Sequence, residues 1–276
     1  MKPDVKTKRV RCEPLDRIVT LPERPERVVC LVSGWTEGLW ALGLAERVVG
    51  VSKYCRRYVA VADRAVPGDY LRIDEAALAA LEPDLVLLTG GVQLGVARRL
   101  AKAGLPVFVL SLPDSFYGVL ENLRRLGALM GEMRAAHALT ARLEAEAAIL
   151  RAQSPTGPRP RVYAELWFGR HARRAGGLTF IHDLVELAGG ENIFAGDAEG
   201  YPEVDWAAAL AAKPDVVVLF HEEDDHPLDV AAWRRERGWG GAVVEAGITR
   251  GRNLIHDGPS MLETARWLRG ELAALG

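Results

Sequence analysis

The sequence predicts an α/β protein made of two Rossmann-like lobes with parallel sheets, joined by one long bridging helix. Three observations lead there. The passage "IDEAALAALEPDLVLL", residues 73 to 88, is nearly repeated by "VDWAAALAAKPDVVVL", residues 204 to 219. Continuous β-branched and leucine runs alternate with helical stretches along both halves of the chain. Residues 114 to 153, "DSFYGVLENLRRLGALMGEMRAAHALTARLEAEAAILRAQ", keep helical spacing and contain no proline.

Each copy of the repeat reads as helix, stop and strand. Asp74 and Asp205 suit the cap position, where a short carboxylate accepts the orphan N–H bonds of a first helical turn. Pro83 and Pro214 disfavour helical geometry in the residue before them, which ends the helix. "DLVLL" and "DVVVLF" then run without polar interruption, as strands buried on both faces of a parallel sheet do. The first lobe, residues 1 to 112, adds strands at "RVVCLV", "RVVGVS" and "PVFVLSL" and helices at "TEGLWALGL" and "GVARRLAKAG". The bridging helix takes residues 113 to 153, and "SPTGPRP" breaks it. The second lobe, residues 154 to 276, adds strands at "RVYAELWF" and "GGAVVEAG" and helices around 181 to 189, 205 to 213 and 258 to 275.

Composition narrows the function. With 276 residues, 49% hydrophobic, 26% charged and a formal net charge of -2, the chain has enough apolar material for one or two cores and no basic face to collect phosphates. Nucleic acid is therefore not an expected partner. No apolar run reaches the roughly twenty residues of a membrane helix, so membrane insertion is not expected either. "MKPDVKTKRVRCEPLDR" lacks an apolar core for export, which reads as a cytoplasmic chain, or a periplasmic or cell-surface one whose export segment has been removed. Cys12, Cys30 and Cys55 lie far apart without a C-x-x-C pair and read as structural thiols. A monomer is expected.

The passage "LPERPERVVCLVSGWTEGLWALGLAERVVGVSKYC" resembles the opening of the substrate-binding proteins of bacterial ABC importers for vitamin B12, heme and iron-siderophores. The resemblance continues through "LEPDLVLLTGG", "GGLTFIHDLVELAGGENIFAG" and "KPDVVVLF", and covers almost the whole chain. "LVELAGGENIF" is similar to a segment of the vitamin B12 binders in particular. The resemblance implies a two-lobed binding protein with its ligand in the interlobe cleft, and a permease as a further partner. It implies a metal-chelate cargo, a cobalt corrinoid or an iron chelate, and no required cofactor. It also exposes a departure. Members of this class usually carry a docking glutamate seven residues before the Pro of each Pro-Asp pair, and Ala76 and Ala207 stand there. A cytoplasmic cobamide- or tetrapyrrole-holding protein that docks to no transporter is the alternative, with a heme or iron-siderophore binder beside it.

Ligands of open parallel sheets bind at the carboxyl ends of the strands. In the first lobe that rim holds Ser33 to Thr36, Ser52 to Tyr54 and Thr89 to Gln93, with Trp35, Thr36, Tyr54, Gly90 and Gly91 as its site candidates. In the second it holds Trp167, Phe168, Arg170, His221 and Glu222. Trp35, Tyr54, Trp167 and Phe168 suit a large flat ligand, because aromatic rings offer broad apolar area with few rotamers to freeze. Arg170, with Arg173 and Arg174, can pair with a ligand carboxylate or phosphate, or stand in solvent. In "HEEDDH" two histidines flank four acids, a set that can ligate a metal, yet acids directly after a strand also read as a solvated loop. A free-metal site is not expected. The sequence has no G-x-S-x-G elbow, P-loop or H-E-x-x-H, so an enzyme is not expected, and a metal-dependent activity on His221 and His226 is the sole enzymatic candidate.

Overall fold

The computed structural model describes residues 6–154, 157–168, 171–222, 226–247 and 257–275, with the Phe168 side chain also left out. The chain divides into two units, Met1–Leu112 with Leu120–Arg142, and Pro113–Val119 with Leu143–Gly276.

The first unit opens on an antiparallel hairpin of β1 (Thr7–Cys12) and β2 (Arg17–Pro22), which the sequence reading did not anticipate. Then follow β3 (Val28–Cys30), α1 (Ser33–Ala41), β4 (Val48–Ser52), β5 (Ala65–Gly68), α2 (Glu75–Ala80), β6 (Leu85–Thr89), α3 (Leu94–Lys102) and β7 (Val107–Leu110). The five-stranded sheet is parallel in the order β5-β4-β3-β6-β7. Every residue of β3, β6 and β7 is buried, as the unbroken apolar runs require. Burying each leucine of Leu85, Leu87 and Leu88, all at 0% exposure, contributes about 1.5–3 kcal/mol. Gly38 of α1 lets α4 (Phe116–Met130) come close, since a Cβ there would lie 2.8 Å from Leu123.

The second unit contains β8 (Arg161–Phe168), β9 (His171–Arg174), α6 (Phe180–Leu187), β10 (Glu191–Asn192), α7 (Trp206–Ala211), β11 (Val216–His221), α8 (Val230–Arg237), β12 (Ala242–Gly247) and α9 (Met261–Ala273). Its sheet runs β10-β8-β11-β12, all parallel, with β9 folded back antiparallel on β8.

The repeated passage performs the same local work in both units. Asp74 accepts the N–H of Ala77 at 2.9 Å and Asp205 that of Ala208 at 3.0 Å, so both cap their helices. Glu82 and Lys213, with φ of 45° and 51°, end those helices in the left-handed region. The aspartate of each Pro-Asp then reaches back to the first central strand: Asp84 accepts from Glu26 and Arg27 N–H, and Asp215 from Arg161 N–H. Arg27 donates to the carbonyl of Leu81, and Arg161 to that of Ala212, so each arginine satisfies a carbonyl that its helix end leaves without a partner. Two short helices are thereby pinned to their sheets by one recurring set of polar contacts.

The bridging segment corrects the expectation of one helix over 113 to 153. It is two helices, α4 and α5 (Met133–Ala152). Gly131 has φ of 72°, Glu132 N–H donates to Gly127 O at 2.7 Å, and Gly131 N–H to Ala128 O at 3.4 Å. This is the double closure of a helix end around a left-handed glycine. Lys8 Nζ donates to the carbonyls of Ala128 and Leu129, and Arg47 to that of Met130, so the stop is satisfied throughout.

Candidate functional site

In an open parallel sheet the strand order reverses at one point, and the loops on either side of it leave a crevice at the carboxyl ends. In the first unit that point lies between β3 and β6, since β4 and β5 extend to one side and β6 and β7 to the other. Gln93, fully buried, bridges it: its Oε1 accepts Thr89 N–H at 2.9 Å, and its Nε2 donates to Leu31 O at 3.4 Å and Tyr70 O at 3.0 Å. Gly91 takes φ of 68° in the turn after β6, with open space where a Cβ would project. Gly90, just before it, donates its N–H to Leu110 O at 2.8 Å.

Four successive strand ends of this unit carry large apolar residues. Tyr54 follows β4 and pairs with the Tyr70 ring at 5.5 Å between centroids, and the Arg57 guanidinium lies 4.6 Å from the Tyr54 centroid. Leu71, Val92 and Leu112 follow β5, β6 and β7 with 56%, 73% and 48% of their surface exposed. Leaving such side chains in water forgoes the stabilisation of burial, and they recur at strand ends on both sides of β3, so the carboxyl rim of this sheet presents apolar surface. Of these, the sequence reading placed Tyr54 at the rim, and Val92 with it inside the stretch Thr89 to Gln93. Tyr70, Leu71 and Leu112 sit in short loops without periodicity, and only their position just after a strand could have marked them.

Trp35 and Thr36 are a correction. Because α1 starts at Ser33, they already lie in its first turn, and they are buried at 1% and 0% exposure. Thr36 Oγ1 donates to Val32 O at 2.9 Å and lies 3.2 Å from Cys55 Sγ. Its hydroxyl is engaged locally rather than presented to a ligand. Cys12, Cys30 and Cys55 are all buried, and none of them forms a disulfide among the described residues.

In the second unit the sheet order reverses between β8 and β11, where Trp167 and His221 are register partners. Strand alternation puts Tyr163, Glu165 and Trp167 on one face of β8. That face packs into an aromatic cluster with Trp206 of α7, Trp233 of α8, Trp239 and Phe194. Trp206 lies edge-on to Trp233 and Trp239, with centroids 5.3 and 5.8 Å away. Glu165 sits beneath them at 0% exposure. Its Oε1 accepts from Trp167 Nε1 at 3.0 Å and Trp233 Nε1 at 2.8 Å, and its Oε2 from Tyr163 Oη at 2.8 Å. Burial, reinforced by the Glu165 charge, pushes the Tyr163 phenol well above its ordinary pKa. The sequence reading identified Trp167 alone in this cluster, because Phe194, Trp206, Trp233 and Trp239 come from segments far from β8 along the chain.

His221 is buried at 2% exposure, not open at a rim. Its Nε2 lies 3.1 Å from Glu245 Oε1, and its Nδ1 accepts Leu228 N–H at 3.4 Å, which puts the imidazole proton on Nε2. Glu222 is half-buried and bridges back to His226, whose N–H donates to Glu222 O at 2.9 Å. The acids between them, residues 223–225, and Arg170 lie outside the described residues. Phe168 ends β8, and nothing is described of its side chain. Arg173 and Arg174 belong to β9 and pair with Glu203 at 3.7 Å and Asp197 at 2.6 Å, so they serve the fold. Among the described residues no group of three His, Cys, Asp or Glu side chains gathers as metal ligands, and no helix is long and apolar enough to cross a membrane.

The "LAGGENIF" passage proves to be structural. A Cβ on Gly190 would lie 2.8 Å from Val162, and buried Asn192 donates to Ala175 O while accepting Phe194 N–H.

Comparison with known proteins agrees. The chain is 35% identical over 206 residues to a cobalamin-binding protein of Halobacterium salinarum, an alignment that takes in 72% of this chain and 55% of that protein. The chain thus spans about half the length of that curated relative. Among solved structures, the periplasmic vitamin B12 binding protein of Vibrio cholerae superposes with a TM-score of 0.69 at 21% identity, over 92% of this chain and 99% of that one. A periplasmic heme binding protein of Pseudomonas aeruginosa superposes with a TM-score of 0.72 at 23% identity, over 90% and 92%. The family model described as periplasmic binding protein matches residues 28–241, most of both sheets. The chain belongs to the periplasmic binding protein family.

Proposed function

We propose that this protein captures a corrinoid for ABC-type import, using the loops at the carboxyl ends of its two parallel sheets. The observation that carries the reading is the apolar and aromatic surface that Tyr54, Tyr70, Leu71, Val92 and Leu112 place at the strand ends of the first sheet on a family scaffold; in the second unit, taken by itself, Trp167 stands half-buried at the switch point of its own sheet. A macrocycle with a broad apolar face gains from such a surface, and polar groups at its edge suit the adjoining backbone amides. Support from outside the chain is the 35% identity to a protein described as cobalamin-binding. The protein acts by binding and carries out no reaction, and its working location is outside the cytoplasmic membrane. Titration with cyanocobalamin, followed by calorimetry and visible absorption, is expected to show one site per chain. A flat titration beside clear binding of hemin or a ferric siderophore overturns the corrinoid assignment.

One observation favours a second reading, a corrinoid-holding protein that docks to no permease. The exposed faces of α2 and α7 present Ala76 and Ala207, and the neighbouring Glu75 is engaged by Arg99 at 3.3 Å. Co-purification with a permease encoded beside its gene separates the two.

A further inference from the structure

Glu165 is a core strand position where leucine would serve the packing, yet it holds a carboxylate at 0% exposure. Burying that charge is costly unless donors surround it. Four converge: Tyr163 Oη, Trp233 Nε1, Trp167 Nε1, and the Arg237 guanidinium with NH2 3.5 Å from Oε1. Arg237 is held in turn, its guanidinium 5.5 Å from the Trp206 centroid and 5.6 Å from that of Trp233, while its carbonyl accepts from Trp206 Nε1 at 2.8 Å. Tyr163 and Trp233 are core residues at 0% and 3% exposure. Trp167 differs from them, being half-buried at the carboxyl end of β8. An indole can be turned over about its Cβ–Cγ bond, and only one of the two orientations aims Nε1 at Glu165.

We propose that Glu165 is a positioning residue for ligand recognition: it locks the Trp167 indole in one orientation so that the ring is set before the ligand arrives. The ligand half of this proposal rests on the corrinoid reading above. A side chain ordered in the free protein loses less freedom on binding, and the affinity gained comes from that preorganisation. Arg237 and Trp233 keep the carboxylate in place and act on Trp167 only through it.

The test compares wild type, Glu165→Gln, Trp167→Phe and the double variant. Trp167→Phe keeps an aromatic ring while removing the donor together with part of the ring area. Glu165→Gln keeps the shape but brings an amide NH2 into a site where every neighbour is a donor. Each single variant is expected to weaken cyanocobalamin binding about tenfold, the scale of a hydrogen bond to a charged group, and the double variant no more than Glu165→Gln alone. Losses that simply multiply, or a Trp167→Phe protein with wild-type affinity, overturn the proposal. Acrylamide quenching of tryptophan fluorescence without ligand supplies the second readout. Glu165→Gln is expected to raise quenching in the wild-type background and to leave it unchanged in the Trp167→Phe background; equal effects in both overturn the positioning claim. If wild type fails to bind cyanocobalamin, the corrinoid reading falls while the quenching comparison still decides the role of Glu165. Should Glu165→Gln not fold, Trp167→Phe carries the test, since it leaves the carboxylate its other three donors.

Discussion

Asp183 Oδ2 accepts the backbone N–H of Phe116 at 2.6 Å. The pair joins α6 to the first residue of α4, and Ser115 Oγ, 3.0 Å from Gly118 N, meets another amide of the same first turn. Helix starts leave their N–H groups unpaired, and a carboxylate there is favoured both as an acceptor and by the helix dipole. This contact ties Pro113–Val119 to the second unit although the rest of α4 belongs to the first. Asp183→Ala is expected to lower stability by about 1–2 kcal/mol, the scale of a lost helix cap, with Asp183→Asn between it and wild type. Urea denaturation followed by circular dichroism measures it, and equal midpoints for all three proteins would leave the contact without energetic weight.

Gly131→Ala addresses the stop between α4 and α5. A left-handed φ of 72° disfavours a side chain, and the added Cβ would lie 2.8 Å from Glu23 O. A cost of about 1–3 kcal/mol is expected, the scale of strain at such a backbone position, read as a lowered thermal midpoint. An unchanged or raised midpoint would show that the segment accepts a continuous helix.

Acid sensitivity is expected at Glu132. Hydrogen bonding from Arg47, opposed by burial and assisted by the charge of Arg24, holds its carboxyl below the usual carboxylate range. A folded pKa below the unfolded one means that the ionised form stabilises the fold. That contribution is complete above the unfolded value and is lost as pH falls through the depressed one. Glu132→Gln should therefore lose stability near neutrality and show a shallower decline than wild type below it. Parallel acid-side slopes for the two proteins contradict this.

Trp167→Ala is expected to weaken cyanocobalamin binding by roughly 1–3 kcal/mol, in the range of an aromatic anchor. The ring alone suggests that the fold would be untouched. Its bond to Glu165 changes that expectation, because truncation removes a donor from a buried carboxylate. A modest fall in melting temperature should accompany the loss of affinity, and calorimetry with thermal melts on the same samples reads both.

Val92→Ser and Leu71→Ser separate binding from folding in the first unit. With 73% and 56% of their surface exposed, these side chains contribute little to the core. Melting temperatures should match wild type while cyanocobalamin affinity drops severalfold. Unchanged affinity in both variants would remove this apolar surface from the site.

The sequence by itself determined the α/β class, the helix-stop-strand repeat and its two aspartate caps, because these depend on contacts within a few residues and on unbroken apolar runs that only a buried parallel strand can use. Tertiary structure decided what those local rules leave open. Gly131 sits in a helical pattern without a proline, and its stop becomes legible only when Lys8 and Arg47 are seen on the last carbonyls of α4. Trp35 follows a strand as Tyr54 does, yet α1 begins early enough to bury one while the other stays at the rim. Glu165 shows the limit most plainly: "RVYAELWF" is legible as a strand, but nothing in it tells that its one acid is buried. Tyr163 and Trp167 are its neighbours in sequence, but Trp233 and Arg237 arrive from a helix far along the chain, and only the fold brings enough donors together to hold a carboxylate away from water.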